Sequence, residues 1–134
     1  MANADGASTG PLRGVRILLL EDDPDCLEST ALYLRREGAV VITASSGQEA
    51  VDAFAEQPPD IVVSDILLPE VDGHAVVRYL RRQGMSAPAI AMTCLSAADA
   101  RFKSAQVGFD LHLTKPIAPE VLLRAILDLL PTQH

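Results

Sequence analysis

Five short apolar runs, each followed by a segment with helical spacing, constrain this chain more than any other feature. The runs are residues 16–20 (Arg-Ile-Leu-Leu-Leu), 40–43 (Val-Val-Ile-Thr), 61–63 (Ile-Val-Val), 89–92 (Ala-Ile-Ala-Met) and 111–113 (Leu-His-Leu). They are short, aliphatic and rich in β-branched residues, which reads as strands buried on both faces. Between them, apolar residues recur at the spacing of one helix face: Leu27, Ala31 and Leu34; Ala50, Val51 and Phe54; Val76, Val77 and Leu80; Leu122, Ala125, Ile126 and Leu129. Residues 97–107 carry a weaker version of the same pattern. Asp23-Pro24, Ser46 and Pro119 are helix-start signals, whereas Gly38, Pro58-Pro59, Gly84 and Gly108 are stops. Strand and helix alternating five times through short connections predict a doubly wound α/β fold. Its sheet is parallel, its crossovers right-handed, and its helices cover both faces.

The site follows from what stands at the carboxyl end of each strand, because open parallel sheets place their ligands there, where the strand order reverses. The first strand ends in Glu21 and Asp22, the third in Asp65, the fourth in Thr93 and the fifth in Lys115. Asp65 directly follows a buried run, and an unpaired carboxylate cannot sit in the core without a cost of several kcal/mol. It belongs on the rim. Two carboxylates about 4 Å apart repel by ~4 kcal/mol at an effective dielectric of 20, so three of them need a cation. Oxygen-only ligands suit Mg²⁺, and Lys115 supplies a second positive charge. A carboxylate between a divalent cation and an ammonium is equipped to attack phosphorus, with Thr93 able to donate to a phosphoryl oxygen.

Composition narrows the alternatives. The chain has 134 residues, the size of one domain, and a net charge of −7 with no Trp. That charge opposes binding to nucleic-acid phosphates, and 4% aromatic residues leave no base-stacking platform. No run approaches the ~20 apolar residues of a membrane span. Residues 1–14 are small, polar and Gly-rich, which predicts a disordered tail or linker remnant ahead of a domain over 15–131. The start lacks a secretory signal's basic and apolar regions, so the cytoplasm is the expected location. Cys26 and Cys94 have no metal-ligand spacing and lie in apolar, periodic segments, so buried free thiols are expected.

These pieces together resemble a two-component receiver domain, also known as a CheY-like response-regulator domain. The matching residues are the acid pair in Leu20-Glu21-Asp22-Asp23-Pro24, the acceptor in Ser64-Asp65-Ile66-Leu67-Leu68-Pro69, then Thr93 and Lys115-Pro116. The resemblance implies a flavodoxin-like sheet of order 2-1-3-4-5. It implies Asp65 as phosphoacceptor, and Mg²⁺ held by Glu21, Asp22, Asp65 and the backbone carbonyl of Leu67. Thr93 is then the switch hydroxyl, Lys115 the phosphate-pairing cation, and the bond before Pro116 cis. His112 stands where most receivers have Tyr or Phe and takes the second switch position.

The expected partners are a sensor histidine kinase or histidine phosphotransfer protein, and a downstream protein on the face of the fourth helix (97–107), fifth strand and fifth helix. The wording around residues 108–116 and 12–17 further resembles receivers at the C-terminal end of hybrid sensor kinases. On this reading the chain is a phosphorelay signalling module that catalyses only its own phosphorylation and dephosphorylation. A metal-dependent hydrolase with an Asp nucleophile would need a general acid and a cap insertion, for which the connections are too short. A receiver with a dead site is opposed by the intact set of five residues.

Overall fold

In a computed structural model, residues 9–68, 73–94 and 108–131 are described. Five strands, β1 (Arg16–Leu20), β2 (Val40–Ala44), β3 (Ile61–Asp65), β4 (Ala89–Thr93) and β5 (Leu111–Thr114), form one parallel sheet in the order β2-β1-β3-β4-β5. Four helices lie among the described residues: α1 (Pro24–Arg36), α2 (Gly47–Glu56), α3 (Gly73–Arg82) and α4 (Pro119–Leu129). The helix expected over 97–107 and most of the loop after Leu68 lie outside the described residues.

Alternation along the strands divides the core in two. Ile17 and Leu19 of β1, Ile61 and Val63 of β3, and Ile90 and Met92 of β4 face α1 and α4, where Ala31, Leu34, Leu122, Ala125 and Ile126 meet them. The intervening Leu18, Leu20, Val62, Ala89 and Ala91 face α2 and α3, packing on Ala50, Val76, Val77 and Leu80. At about 1.5–3 kcal/mol for each large aliphatic side chain removed from water, these two layers dominate the fold's stabilisation. All five residues of β3, the central strand, are buried.

The helix starts follow the sequence signals. Asp23 accepts from the Asp25 N–H at 3.0 Å and Pro24 opens α1. Ser46 Oγ accepts from the Glu49 N–H at 3.2 Å, and Glu49 Oε1 accepts in turn from the Ser45 N–H at 2.8 Å. Such reciprocal caps satisfy amide groups that a helix's own ladder leaves open.

Residues 9–14 differ from the tail expected of them. Leu12 is fully buried among the α1 and α4 side chains. Its N–H donates to the Glu37 carbonyl at 2.8 Å, and the Val15 N–H donates back to the Leu12 carbonyl at 2.9 Å. One leucine flanked by Gly10, Pro11 and Gly14 carries no periodicity, so its burial had no signal in the local pattern.

Candidate functional site

The carboxyl ends of β1, β3, β4 and β5 converge on a polar rim. Glu21 directly follows β1 and is only 4% exposed; its N–H donates to the Ala44 carbonyl at 3.0 Å, which ties the β1 end to β2. Its Oε2 accepts from the Asp23 N–H at 3.2 Å. Asp22 beside it is exposed. Asp65 is the last residue of β3, buried to 6% exposure, and Ile66 after it is anchored by an N–H bond to the Met92 carbonyl at 3.0 Å. One carboxylate oxygen from each of Glu21, Asp22 and Asp65 lies within 4.8 Å of the others.

Lys115 crosses this cluster. Its Nζ donates to Asp65 Oδ2 at 2.9 Å and to Glu21 Oε1 at 3.0 Å. The ammonium arrives there because the Lys115 N–H, just past β5, donates to the Thr93 carbonyl at 2.8 Å. Asp65 Oδ1 accepts from the Leu67 N–H at 3.1 Å, so each acceptor oxygen has a donor. Thr93 ends β4, fully buried. The Lys115-Pro116 bond is cis, as the resemblance implied.

Charge explains the balance of this arrangement. Burial pushes the Glu21 carboxyl above its ordinary range, against the opposing hydrogen bond from Lys115. For Lys115, burial works downward, but hydrogen bonds to Asp65 and Glu21 outweigh it and hold the ammonium well above the usual lysine value. Three carboxylates against one ammonium leave two negative charges unbalanced. An oxygen-donor cluster of that charge fits a divalent cation that retains several waters.

Gly73, the first residue of α3, fixes the backbone beneath the acceptor. Its N–H donates to the Ile66 carbonyl at 2.7 Å. A Cβ on Gly73 would overlap the Asp65 carbonyl oxygen and stand 3.0 Å from Ile66 Cα. This glycine carried no role in the sequence analysis; nothing local to Asp-Gly-His marks so close an approach.

Of the remaining sequence expectations, Leu67 is half-exposed beside Asp65, and its neighbour Leu68 packs partly on the α2/α3 layer. His112 is half-buried; Leu111 and Leu113 on either side of it turn to the α1/α4 layer, so it faces the opposite side, in register with Ala91. Both cysteines are free, as expected, but both are exposed rather than buried. Cys26 occupies the first turn of α1, where its Sγ donates to Asp23 Oδ2 at 3.4 Å. Cys94 falls one residue beyond β4, past the covered part of the sheet.

A family model described as the response regulator receiver domain matches residues 17–127. An uncharacterized 14.6 kDa protein of Leptolyngbya boryana is 35% identical over 112 residues, covering 82% of this chain and 86% of its own. The probable transcriptional regulatory protein TcrX of Mycobacterium tuberculosis is 34% identical over 125 residues, 92% of this chain. The chain spans about half (51%) of that regulator's length. Among solved structures, Vibrio cholerae chemotaxis protein CheY4 superposes with a TM-score of 0.83 at 25% identity, covering 87% of this chain and 98% of its own. A CheY-like receiver domain protein from Methanospirillum hungatei gives 0.80 at 28% identity, covering 87% of this chain and 94% of its own. With the 2-1-3-4-5 sheet and the acidic rim at its strand ends, the chain belongs to the response-regulator receiver domains, the signalling modules of two-component systems.

Proposed function

We propose that Asp65 accepts a phosphoryl group from a phosphohistidine, on a sensor histidine kinase or a histidine phosphotransfer protein, and that Mg²⁺ is required. The observation that carries this reading is Lys115 Nζ bridging Asp65 and Glu21 at 2.9 and 3.0 Å within a three-carboxylate cluster. A carboxylate oxygen of Asp65 attacks phosphorus, the P–N bond to the donor imidazole breaks, and that nitrogen keeps the electron pair. Lys115 has three N–H donors, two of them already committed to carboxylates, and it offsets charge developing on the transferred group. Thr93 supplies a hydroxyl for a phosphoryl oxygen. Glu21, Asp22, Asp65 and the Leu67 carbonyl are the residues that would hold Mg²⁺, with Asp22 direct and Glu21 through water. The bound cation would neutralise phosphoryl oxygens that the three carboxylates otherwise repel.

The signal then leaves through Thr93 and His112 toward a protein partner on the face of β5 and α4. The protein works in the cytoplasm, by protein contact or onward phosphotransfer and without nucleic acid. Intact-mass spectrometry after incubation with acetyl phosphate and Mg²⁺ tests the assignment. One phosphoryl adduct is expected on the wild type, lost on chelation and absent from Asp65→Asn. Undiminished labelling of Asp65→Asn refutes it.

A further inference from the structure

Both thiols open onto one cavity that phosphoryl transfer leaves unused. It measures about 560 Å³ and lies beside the ends of β4 and β5; Cys26, Cys94, Glu21 and Lys115 line it together with apolar walls that include Tyr33 and Leu122. That volume is within the roughly 300–1,000 Å³ of small-molecule sites. Cys26 stands a short hydrogen-bonded path from the acceptor, and Cys94 is one residue from a strand end bonded to Lys115. Cys26 Sγ donates to Asp23 Oδ2, the Asp23 N–H donates to Glu21, and Glu21 shares Lys115 with Asp65. Cys94 follows Thr93, whose carbonyl accepts the Lys115 N–H.

We propose that this cavity is a reversible S-thiolation site, where a small disulfide with neutral or amine-bearing arms transfers one thiol half to Cys94 and obstructs phosphoryl entry at Asp65. The effect on entry rests on the reading of Asp65 as acceptor; the site itself does not. In the reaction the Cys94 sulfur, having lost its proton to solvent, attacks one sulfur of the disulfide. The old S–S bond breaks, a Cys94 mixed disulfide forms, and the released thiolate takes up a proton. Cys94 is reduced again by excess thiol through the reverse exchange.

Two observations choose the residue and the ligand class. The hydrogen bond to Asp23, then burial, push the Cys26 thiol up, so less of it is thiolate and it reacts more slowly. Cys26 must also give up its bond to Asp23 Oδ2 before it can attack, so Cys94 is the first to react. Glu21 lines the cavity, Asp22 and Asp65 cluster with it and Asp23 bonds Cys26, so four carboxylates stand near the one ammonium of Lys115, with Asp25 following on α1. A cationic disulfide gathers there and an anionic one is repelled. The adduct then occupies the space beside Lys115 and Glu21. Displacing groups at a reacting centre by about 1 Å can cost ~10²-fold in rate.

The test uses the full chain with cystamine, hydroxyethyl disulfide or glutathione disulfide as the probe. Intact mass reads the adduct, peptide mapping its position, and acetyl phosphate labelling its effect. The expected rate order is cystamine, then hydroxyethyl disulfide, then glutathione disulfide, with the first adduct on Cys94. Labelling of Asp65 should slow by about tenfold or more and recover on adding dithiothreitol. Cys94→Ser, checked for native circular dichroism, should label normally and lose both the fast adduct and the inhibition. First modification at Cys26, a reversed charge order, or an adduct at Cys94 that leaves labelling unchanged would overturn the proposal. If untreated protein never labels, the reading of Asp65 fails while the mass data still decide the site.

Discussion

Adding one methyl group at Gly73 tests whether the close approach of α3 to the acceptor strand holds the site. In Gly73→Ala the new Cβ overlaps the Asp65 carbonyl oxygen and stands 3.0 Å from Ile66 Cα and 3.1 Å from Ser64 Oγ. Two of these neighbours are backbone and cannot rotate away. The third, the Ser64 hydroxyl, is buried and donates to the Asp65 carbonyl at 2.9 Å. Overpacking against unyielding atoms costs about 1–3 kcal/mol, and backbone contact puts this case at the upper end. Alanine's better helix propensity returns about 1 kcal/mol at most. The net loss is about 2 kcal/mol, or roughly 8 °C in melting temperature for a domain of this size. Gly84→Ala is the control: its φ of +99° strains an alanine, yet no atom lies within 4 Å of the new Cβ. Thermal unfolding of both variants, with Asp65 labelling rates, is the assay. Gly73→Ala should be less stable than Gly84→Ala and label more slowly, because relief of the overlap must move Asp65 or Ile66. Equal stability and equal labelling would refute the reasoning.

Three further outcomes are expected. Asp22→Ala should weaken Mg²⁺ binding more than Glu21→Ala in isothermal titration, because a direct ligand matters more than one acting through water; equal losses would reverse the assignment within the acid pair. Leu12→Ala should cost about 2–5 kcal/mol in urea unfolding, the range for a buried leucine, whereas a leucine in a solvated tail would cost nothing measurable. Lys115 has a raised pKa in the folded state, so its contribution is complete below the ordinary value of 10.5 and lost as pH rises through the folded value. Above pH 10.5 the wild type should therefore lose more stability than Lys115→Met, and parallel losses in thermal unfolding would discount the ion pair.

The elements and the acidic rim were legible because each rests on a local regularity. Alternation along β1, β3 and β4 sends successive side chains to opposite layers, and a run apolar at every position announces both layers at once. Asp65 was legible for the complementary reason. Among side chains buried on both faces, a carboxylate marks where the strand stops being core, and the strand in fact runs two residues past the apolar run 61–63 to include it. Glu21, Asp22, Thr93 and Lys115 hold the same position on their own strands, so a parallel sheet brings them together whatever the loops do.

What the sequence hid depends on contacts between distant segments. Arg81 looked like any basic residue in a helix's last turn, where the dipole favours it. In the fold its guanidinium donates to the carbonyls of Met85, Ala87 and Gly108 and to Asp110 Oδ2, at 3.1, 2.6, 2.7 and 3.2 Å. Asp110 Oδ2 also accepts from the Ala89 N–H at 2.8 Å, so one ion pair joins the end of α3 to the starts of β4 and β5. A planar fork with five donors can satisfy three carbonyls and a carboxylate together, which a lysine could not do. The clamp sits at the opposite end of the sheet from Asp65. It fixes where β4 and β5 begin, and the parallel register Ile90 with Leu111 through Thr93 with Thr114 carries that setting along both strands. The position of Lys115, one residue past β5 and bonded to the Thr93 carbonyl, is therefore decided partly by an arginine at the far end of the molecule.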